Sequence, residues 1–252
     1  MDYTITRHDW VDSTNTVALE RGRAGAAEGT VILAEGQRKG RGRAGRVWES
    51  PYGKNLYCSI ILRPVRPLGP LAAYQSLPLV MGLAVAEAIS EHTPQCVDDR
   101  AVQVKWPNDV RISGKKVAGI LMESVVQPDQ KTMIVIGLGV NVNAVDTDFS
   151  PPVRSIATSL AIVRGHPLDR DALLAELLRH VAAAYATYCA GGFGDLRARY
   201  QQRHLLQGRQ VVVRDGGGEC HGTVTGIHET GALLLQTADQ LCAITSGDVV
   251  RW

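Results

Sequence analysis

Residues 36–48 read Gly36-Gln-Arg-Lys-Gly-Arg-Gly-Arg-Ala-Gly-Arg-Val-Trp48 and closely follow a short strand-like run, Thr30–Ala34. The glycines Gly40, Gly42 and Gly45 let the backbone approach a ligand closely and point its N–H groups at it. The arginines between them offer planar guanidinium groups, which bind phosphate or carboxylate oxygens in pairs. The segment therefore predicts a loop at the end of a buried strand that binds a polyanion, such as a nucleoside triphosphate.

Three other interpretations fit parts of this loop. The spacing Gly40-x-Gly42-x-x-Gly45 matches the dinucleotide-binding fingerprint, which requires a helix to begin at the third glycine. The chain continues instead as Arg46-Val-Trp-Glu-Ser-Pro51, which is not typical of a helix start. A dense charge run is also often a solvated surface loop, and nucleic-acid binding would need positive charge elsewhere in the chain. The polyanion site is favoured because it uses both the glycines and the arginines.

Composition and charge exclude several classes of protein. The chain has 252 residues, 45% hydrophobic and 21% charged, a balance typical of a globular protein with a buried core. Its 27 basic and 25 acidic residues give a formal charge of +2, so DNA is not a predicted partner. Five cysteines without a CxxC pair argue against a disulfide framework or a zinc site and indicate a reducing compartment. We recognise no signal peptide and no bilayer-spanning apolar stretch, so we expect a cytoplasmic protein without a membrane partner.

The hydrophobic pattern predicts an α+β fold with a mixed sheet. Helices and strands do not alternate regularly enough for a doubly wound parallel sheet. The predicted helices cover Leu71–Ile89 and a segment from an N-cap at Asp169 through Tyr188. The predicted strands are Thr30–Ala34, Asn55–Leu62, Val102–Lys105, Val117–Glu123 and Thr132–Val140.

The sequence after Gly208 has a different character. Short strand-like runs separated by glycine-bearing or polar turns predict a small all-β barrel that packs against the main domain. We therefore predict a main domain at residues 1–207 and a small domain at residues 208–252. The five runs are Arg209–Arg214, Cys220–Ile227, Ala232–Gln236, Leu241–Thr245 and Val249–Trp252.

Two further clusters carry chemistry. Lys105-Trp-Pro-Asn-Asp109 places a cation, an amide and a carboxylate where a strand ends, so Asp109 can be a Mg²⁺ ligand with Asn108 beside it. The same residues are also common turn chemistry. Lys116, at the start of an apolar strand, can reach a carboxylate or a transferred phosphate, although a lysine at a strand end often simply extends into solvent.

In their order and spacing, these segments resemble the biotin–protein ligase family. The similarity covers most of residues 9–143, and Gly231-Ala-Leu-Leu-Leu235 with Gly247-Asp248 resembles the C-terminal barrel of that family. The resemblance implies a mixed-sheet catalytic domain of the biotin/lipoate ligase type, followed by a small SH3-like β-barrel. The matching segments are Asp12-Ser-Thr-Asn15, Gly40-Arg-Gly-Arg-Ala-Gly-Arg46 with Trp48, Lys105-Trp-Pro-Asn-Asp109, Lys116-Val-Ala-Gly-Ile120 and Gly137-Leu-Gly-Val-Asn141.

The resemblance also implies a role for each matching residue. The hydroxyl and amide groups of Ser13, Thr14 and Asn15 suit the ureido group of biotin, although these residues also fit an ordinary helix N-terminus. The implied biotin contacts are Ser13, Thr14, Asn15, Gln37, Gly40, Arg41, Gly42, Lys116 and Gly119. The implied nucleotide contacts are Arg41, Arg43, Arg46, Trp48, Lys105, Asn108 and Asn141, with Asp109 at the metal. Lys116 and Arg43 are the implied catalytic residues.

The implied reaction has two steps. The biotin carboxylate attacks the α-phosphate of ATP, with Mg²⁺ present, to give biotinyl-5′-AMP and pyrophosphate. A lysine of a biotin carboxyl carrier protein, or of a carrier domain in a carboxylase, then takes the biotin and AMP leaves. The chain itself needs no nucleophile, and we expect Cys58 to be a core residue rather than a reactive one.

Three other functions are compatible with parts of the sequence. Some family members carry an N-terminal helix-turn-helix and act as repressors, but Ser13-Thr-Asn15 comes so early that we expect none here and no DNA binding. A lipoate–protein ligase shares the expected fold and adenylation chemistry, and the arginine–glycine loop argues against it. A non-enzymatic binding module is the third rival. The sequence leaves the oligomeric state open, a homodimer included.

Overall fold

The computed structural model describes residues 1–64, 74–92, 102–126 and 132–252. The described residues form a seven-stranded mixed sheet followed by a five-stranded antiparallel sheet. The strands of the first sheet are β1 (Thr4–Val11), β2 (Thr30–Gln37), β3 (Leu56–Leu62), β4 (Val102–Lys105), β5 (Asp109–Ile112), β6 (Lys115–Val126) and β7 (Thr132–Val140). The second sheet contains β8 (Gln210–Asp215), β9 (Gly218–Ile227), β10 (Leu233–Gln236), β11 (Leu241–Ile244) and β12 (Asp248–Arg251). The helices are α1 (Thr14–Arg23), α2 (Leu77–His92), α3 (Pro151–Arg154), α4 (Leu160–Arg164), α5 (Arg170–Gly191) and α6 (Gly194–Gln202).

The first sheet confirms the predicted mixed topology. Its order is β1-β2-β3-β7-β6-β5-β4, and β1 runs parallel to β2 while every other neighbouring pair is antiparallel. Helices cover both faces of this sheet. Successive residues of a strand point to opposite faces, so residues of both orientations are buried. On β3, Ile60 belongs to the large core under α2 and α5, whereas Ile61 packs with Ala18 of α1 on the other face. This burial explains why β3 consists of apolar or small residues throughout.

The predicted elements are present, β4 and β7 with the predicted ends and the others with shifted ends, and further elements appear. Helix α2 begins at Leu77, later than predicted, and residues 71–73 lie outside the described part of the chain. The side chain of Asp169 caps α5 as predicted, but Ser13 occupies the N-cap position of α1 without a side-chain capping bond. The elements that the sequence did not predict include the edge strand β1, the short strand β5 and helix α6.

The second sheet packs against the main domain through hydrogen bonds and buried side chains. Its order is β11-β10-β9-β8-β12, and its five strands match the five predicted runs within two residues. The indole of the buried Trp106 donates to Gly231 O at 3.1 Å, and His204, in the segment that leads into β8, forms a parallel bridge with Val104. Closure of these strands into a barrel and the boundary at residue 208 stay predictions. None of the helices in the described ranges is long and apolar enough to cross a membrane.

A buried histidine at this junction predicts a loss of stability in acid. His204 is 5% exposed and neither ring nitrogen has a hydrogen-bond partner, so burial lowers its pKa to about 4. The unfolded chain, with a histidine pKa near 6.5, therefore takes up the proton first as the pH falls. We expect the free energy of unfolding contributed by His204 to be complete above about pH 6.5 and to fall by roughly 2–3 kcal/mol towards pH 4. Urea unfolding at several pH values measures this, and an equally steep fall in His204→Leu would contradict it.

Candidate active site

A cavity of about 480 Å³ lies where the two sheets meet. It is lined by residues from the first sheet, from the glycine–arginine loop (residues 36–48) and from the last strand of the second sheet. Gly40 is the exception among the predicted site residues, because it packs inside the loop, against Ser50 and Gln37. The predicted residues that line the cavity are Ser13, Thr14, Asn15, Gln37, Arg41, Gly42, Arg43, Arg46, Trp48, Lys105, Asn108, Asp109, Lys116, Gly119 and Asn141.

One end of the cavity is a network of buried, mostly neutral hydrogen-bonding groups at the start of α1. The hydroxyl of Ser59 on β3 lies 2.8 Å from Thr14 Oγ1 and 2.6 Å from Asn15 Oδ1. Thr14 N donates to Gln37 Oε1 at 2.9 Å, and Asn15 Nδ2 donates to Glu123 at 2.8 Å. Because each side chain is held by another, these polar groups are oriented before any ligand arrives. Neither Ser59 nor Glu123 was predicted as part of the site.

Glycines of β7 form the floor under this network. A Cβ atom on Gly137 would clash with the Asn15 side chain, and one on Gly139 would lie 2.6 Å from the Trp48 ring. Both positions therefore require a residue without a side chain. Trp48 also packs on Gly119 and lies 5.3 Å beneath the Lys116 ammonium. The strand pattern Gly137-Leu-Gly139 thus lets two functional side chains lie flat against the sheet.

The glycine–arginine loop is a compact turn, without a helix after its third glycine. Arg41 bridges to Val47, Gly42 N donates to Arg46 O at 2.7 Å, and residues Arg43–Gly45 make one 3₁₀ turn. This geometry agrees with the rejection of the dinucleotide fingerprint. Ala44 adopts a left-handed conformation (φ 52°) that a non-glycine residue rarely adopts, so local strain accompanies the tight turn.

Each loop cation is held by a partner distant in sequence. Arg41 makes a bidentate ion pair with Glu123 of β6 at 2.7 and 3.1 Å. Arg46 binds Asp248 of β12 at 2.5 Å, and Arg43 donates to Gly247 O at 3.2 Å. The loop therefore closes over the cavity by joining the two sheets. Lys39 binds Asp12 outside the cavity at 2.8 Å.

The other end of the cavity concentrates charge from β4, β5 and β6. Asp109 Oδ1 lies 2.5 Å from Lys116 Nζ, and Asp109 Oδ2 lies 3.5 Å from Arg111 Nη2. Lys105, 7% exposed, donates to Val249 O at 3.3 Å, and its ammonium lies 5.6 Å from the Trp252 ring. Asp109 opens a strand and does not stand in a turn, which corrects the turn prediction for this residue. The cations exceed the carboxylates here, so the site favours an anionic ligand.

The residues around Asp109 do not fit a protein-held Mg²⁺ site. Its Oδ1 is bound to Lys116 and its Oδ2 faces Arg111, so a Mg²⁺ ion on this carboxylate would lie beside two cations that already neutralise it. The neighbouring Asn108 amide is also engaged, because its oxygen faces Arg43 and its nitrogen donates to Ile120 O at 2.8 Å. The prediction of Asp109 as a metal ligand therefore lacks support from the geometry, and we derive no step through the metal.

The buried Lys105 predicts a pH dependence of nucleotide binding. Burial lowers the pKa of Lys105 to about 8, and the neighbouring Arg111 and Lys116 act in the same direction. The lysine is therefore cationic at pH 7 and loses its charge as the pH rises through 8. We expect the affinity for ATP, measured by calorimetry, to fall by up to about tenfold between pH 7 and pH 9. Lys105→Arg keeps its charge and should flatten this dependence, and an equal fall in that variant would contradict the assignment.

Comparisons with known proteins assign this chain to a family. The profile of the biotin/lipoate A/B protein ligase family matches residues 8–141, and that of the biotin protein ligase C-terminal domain matches residues 207–252. The bifunctional ligase/repressor BirA of Bacillus subtilis (strain 168) is 35% identical over 249 residues, which cover 99% of this chain and 74% of that protein. The biotin–[acetyl-CoA-carboxylase] ligase of Paracoccus denitrificans is 36% identical over 235 residues, covering 89% of this chain and 91% of that protein.

A solved structure agrees across nearly the full length. The biotin protein ligase from Aquifex aeolicus in complex with biotin and ATP superposes with a TM-score of 0.83 at 30% identity and covers 99% of both chains. The two profiles together span both sheets, and the cavity lies between the regions that they match. The chain therefore belongs to the biotin–protein ligases of the biotin/lipoate A/B protein ligase family.

Proposed function

We propose that this chain is an ATP-dependent ligase that activates biotin as biotinyl-5′-AMP and transfers biotin to a lysine of a biotin carboxyl carrier protein or carrier domain. One observation carries the proposal: one cavity joins the hydrogen-bonding end at Asn15 to the cationic end at Lys116. Biotin has the matching polarity, with a neutral ureido ring at one end and a carboxylate at the other. The relatives named as biotin ligases, one of them solved with biotin and ATP, support the same reaction.

The hydrogen-bonding end suits the biotin ring. An ureido group has one acceptor oxygen and two N–H donors, and the hydroxyls and amides of Ser13, Thr14 and Asn15 offer both kinds of partner. Leu121 and Leu138 add apolar surface to the lining. Since Ser59 and Glu123 fix the orientation of Asn15, the ring meets groups that are already in place.

The cationic end suits adenylation. A carboxylate oxygen of biotin attacks the α-phosphorus of ATP, the bond to the β,γ-phosphates breaks, and pyrophosphate carries away the electron pair. Two anions must approach each other in this step, so fixed positive charge in a water-poor site lowers the barrier. Lys116 and Arg43 are the cations that we assign to this task, with Arg41, Arg46 and Lys105 beside them. Trp48, Asn108 and Asn141 complete the proposed nucleotide site.

The second step needs protection of the mixed anhydride from water. The loop, tied to Glu123 and Asp248, covers the cavity and limits solvent access. The acceptor lysine amine then attacks the biotinyl carbonyl, and AMP leaves. A covalent enzyme intermediate is not required, and burial raises the pKa of the Cys58 thiol to about 12, which makes it a poor nucleophile at neutral pH.

The remaining assignments are predictions from the sequence. They comprise the acceptor, the cytoplasmic location, a homodimer, and Mg²⁺, which adenylation chemistry uses to neutralise phosphate oxygens. The carboxylate that the sequence predicts for the metal, Asp109, is bound to Lys116 instead.

The test is ATP–pyrophosphate exchange with purified protein and MgCl₂, comparing biotin, lipoate and no acid. Exchange that depends on biotin is the expected result. Exchange with lipoate alone would identify lipoate as the substrate and leave the adenylation chemistry unchanged. No exchange from folded protein would reject the ligase and favour a binding module.

A further inference from the structure

The strands β4, β5 and β6 bring an unbalanced set of charges together beside the cavity. Asp109 and Arg111 stand two residues apart on β5, so their side chains share one face of the sheet. A β-bulge between Val110 and Arg111 places Arg111 opposite Lys116 of β6, and Lys105 of β4 stands opposite Asp109. One carboxylate therefore has three cations around it.

The two closest cations are held by Asp109 in unequal ways. Lys116 Nζ lies 2.5 Å from Oδ1, whereas Arg111 Nη2 lies 3.5 Å from Oδ2, which is longer than a charged hydrogen bond. Asp109 and Arg111 are nearly buried, with side chains 15% and 11% exposed. The tight partner is thus the lysine that the proposed reaction needs.

The guanidinium of Arg111 has hydrogen-bonding capacity to spare. Its Nη1 donates to Gly114 O at 2.6 Å, and its Cζ lies 5.2 Å from the Trp252 ring, which together keep it beside Asp109. Its Nε is buried without a hydrogen-bond partner. A movement of about 0.6–0.8 Å would bring Nη2 to a normal distance from Asp109. Arg111 is therefore a ready second partner for this carboxylate.

We infer that Arg111 is a positioning residue for adenylation, which takes over Asp109 when Lys116 leaves that carboxylate for the reacting oxygens. The inference rests on the proposed function and deepens it. Lys116 cannot give its full charge to the biotin carboxylate and α-phosphate while it neutralises Asp109. Separating this pair would leave a nearly buried carboxylate without a partner, which is costly. Arg111 removes that cost, since Asp109 keeps one cation both when Lys116 is bound to it and when Lys116 is at the reacting oxygens. Asp109 thereby acts on the lysine and not on a metal.

Arg111→Gln provides the first test. We expect the kcat of biotin-dependent ATP–pyrophosphate exchange to fall about tenfold, with the KM values for biotin and ATP within about twofold of those of the unaltered chain, because the cost arises only when Lys116 moves. Arg111→Lys keeps a cation near Asp109 and should recover most of the rate. Melting temperatures of both variants establish that they are folded. Arg209→Gln is the matched control, since Arg209 also faces Trp252 at 5.2 Å but forms no ion pair with Asp109 in the described structure.

A double-mutant cycle with Asp109 separates this role from a purely structural one. If Arg111 acts through Asp109, then Arg111→Gln should cause no further loss of kcat in an Asp109→Asn background. Losses that simply multiply, or an unchanged kcat in Arg111→Gln, would overturn the inference. A rise in the KM for ATP alone would also overturn it, because it would indicate direct contact with the nucleotide. Absence of biotin-dependent exchange in the unaltered chain would reject the proposed function and this inference together.

Discussion

Replacing Lys116 with alanine is expected to lower the rate of biotin-dependent ATP–pyrophosphate exchange by about 10²–10³-fold, the cost of removing one preorganised charge from a transition state. Lys116 is three-quarters buried, lies over the Trp48 ring and is held at Asp109, so it stands beside the proposed nucleotide site with its charge little screened by water. The residual rate would come from Arg43 and its neighbours. Exchange of labelled pyrophosphate into ATP measures the effect directly.

Two control variants accompany this prediction. Lys115, the exposed neighbour on β6, points to the opposite face of the strand, so Lys115→Ala should leave the exchange rate nearly intact. Cys58→Ala tests the absence of a thiol nucleophile, and we expect adenylation to survive it. Similar losses in Lys116→Ala and Cys58→Ala, both folded, would sink the assignment of Lys116.

The second large effect is expected at Gly137. A methyl group there would clash with the Asn15 amide, whose bonds to Ser59 and Glu123 would then break. The displaced Asn15 would also lose its proposed contact with biotin, and a buried polar group left without its partner costs about 1–3 kcal/mol, so the KM for biotin in Gly137→Ala should rise by roughly 5–150-fold. The KM for ATP should change much less. Initial rates at varied biotin and ATP separate the two effects.

Gly82→Ala is the matched control, because a side chain at Gly82 would have space. Gly82 lies inside α2, and a Cβ there would make ordinary contact with Ile120 Cδ1 at 3.7 Å. Alanine also favours a helix by about 1 kcal/mol over glycine. The variant should therefore be folded, at least as stable, and unchanged in its KM for biotin. A normal biotin KM in Gly137→Ala would show that Asn15 does not contact the substrate.

The fold was predictable where hydrophobic periodicity carries the information. The apolar runs that became β3 and β7 are buried on both faces and could be recognised locally. Strand β1 was not predicted, because it is an exposed edge strand whose apolar residues, such as Ile5 and Trp10, remain partly in solvent. Strand β5 escaped because Pro107-Asn-Asp109 resembles a turn, although Asp109 pairs with Lys105 and Gly119.

The candidate site was predictable for residues within motifs and not for their partners. Arg41 and Lys116 stand in dense local patterns that a single sequence reveals. Glu123 has no such pattern, since its partners Arg41 and Asn15 are 82 and 108 residues away. Asp248 reaches Arg46 only because the second sheet folds against the loop, 202 residues distant in the chain. Such pairings depend on tertiary structure, which local spacing does not encode.

The ion pairs that close the loop make substrate capture depend on ionic strength. The pairs Arg41–Glu123 and Arg46–Asp248 are partly exposed, and pairs of this kind contribute about 0–1 kcal/mol each. Dissolved salt screens them, so added electrolyte weakens the contacts that hold the loop against the two sheets. Biotin would then enter sooner and the adenylate would escape sooner. The surrounding electrolyte therefore sets how long the activated intermediate waits for its acceptor.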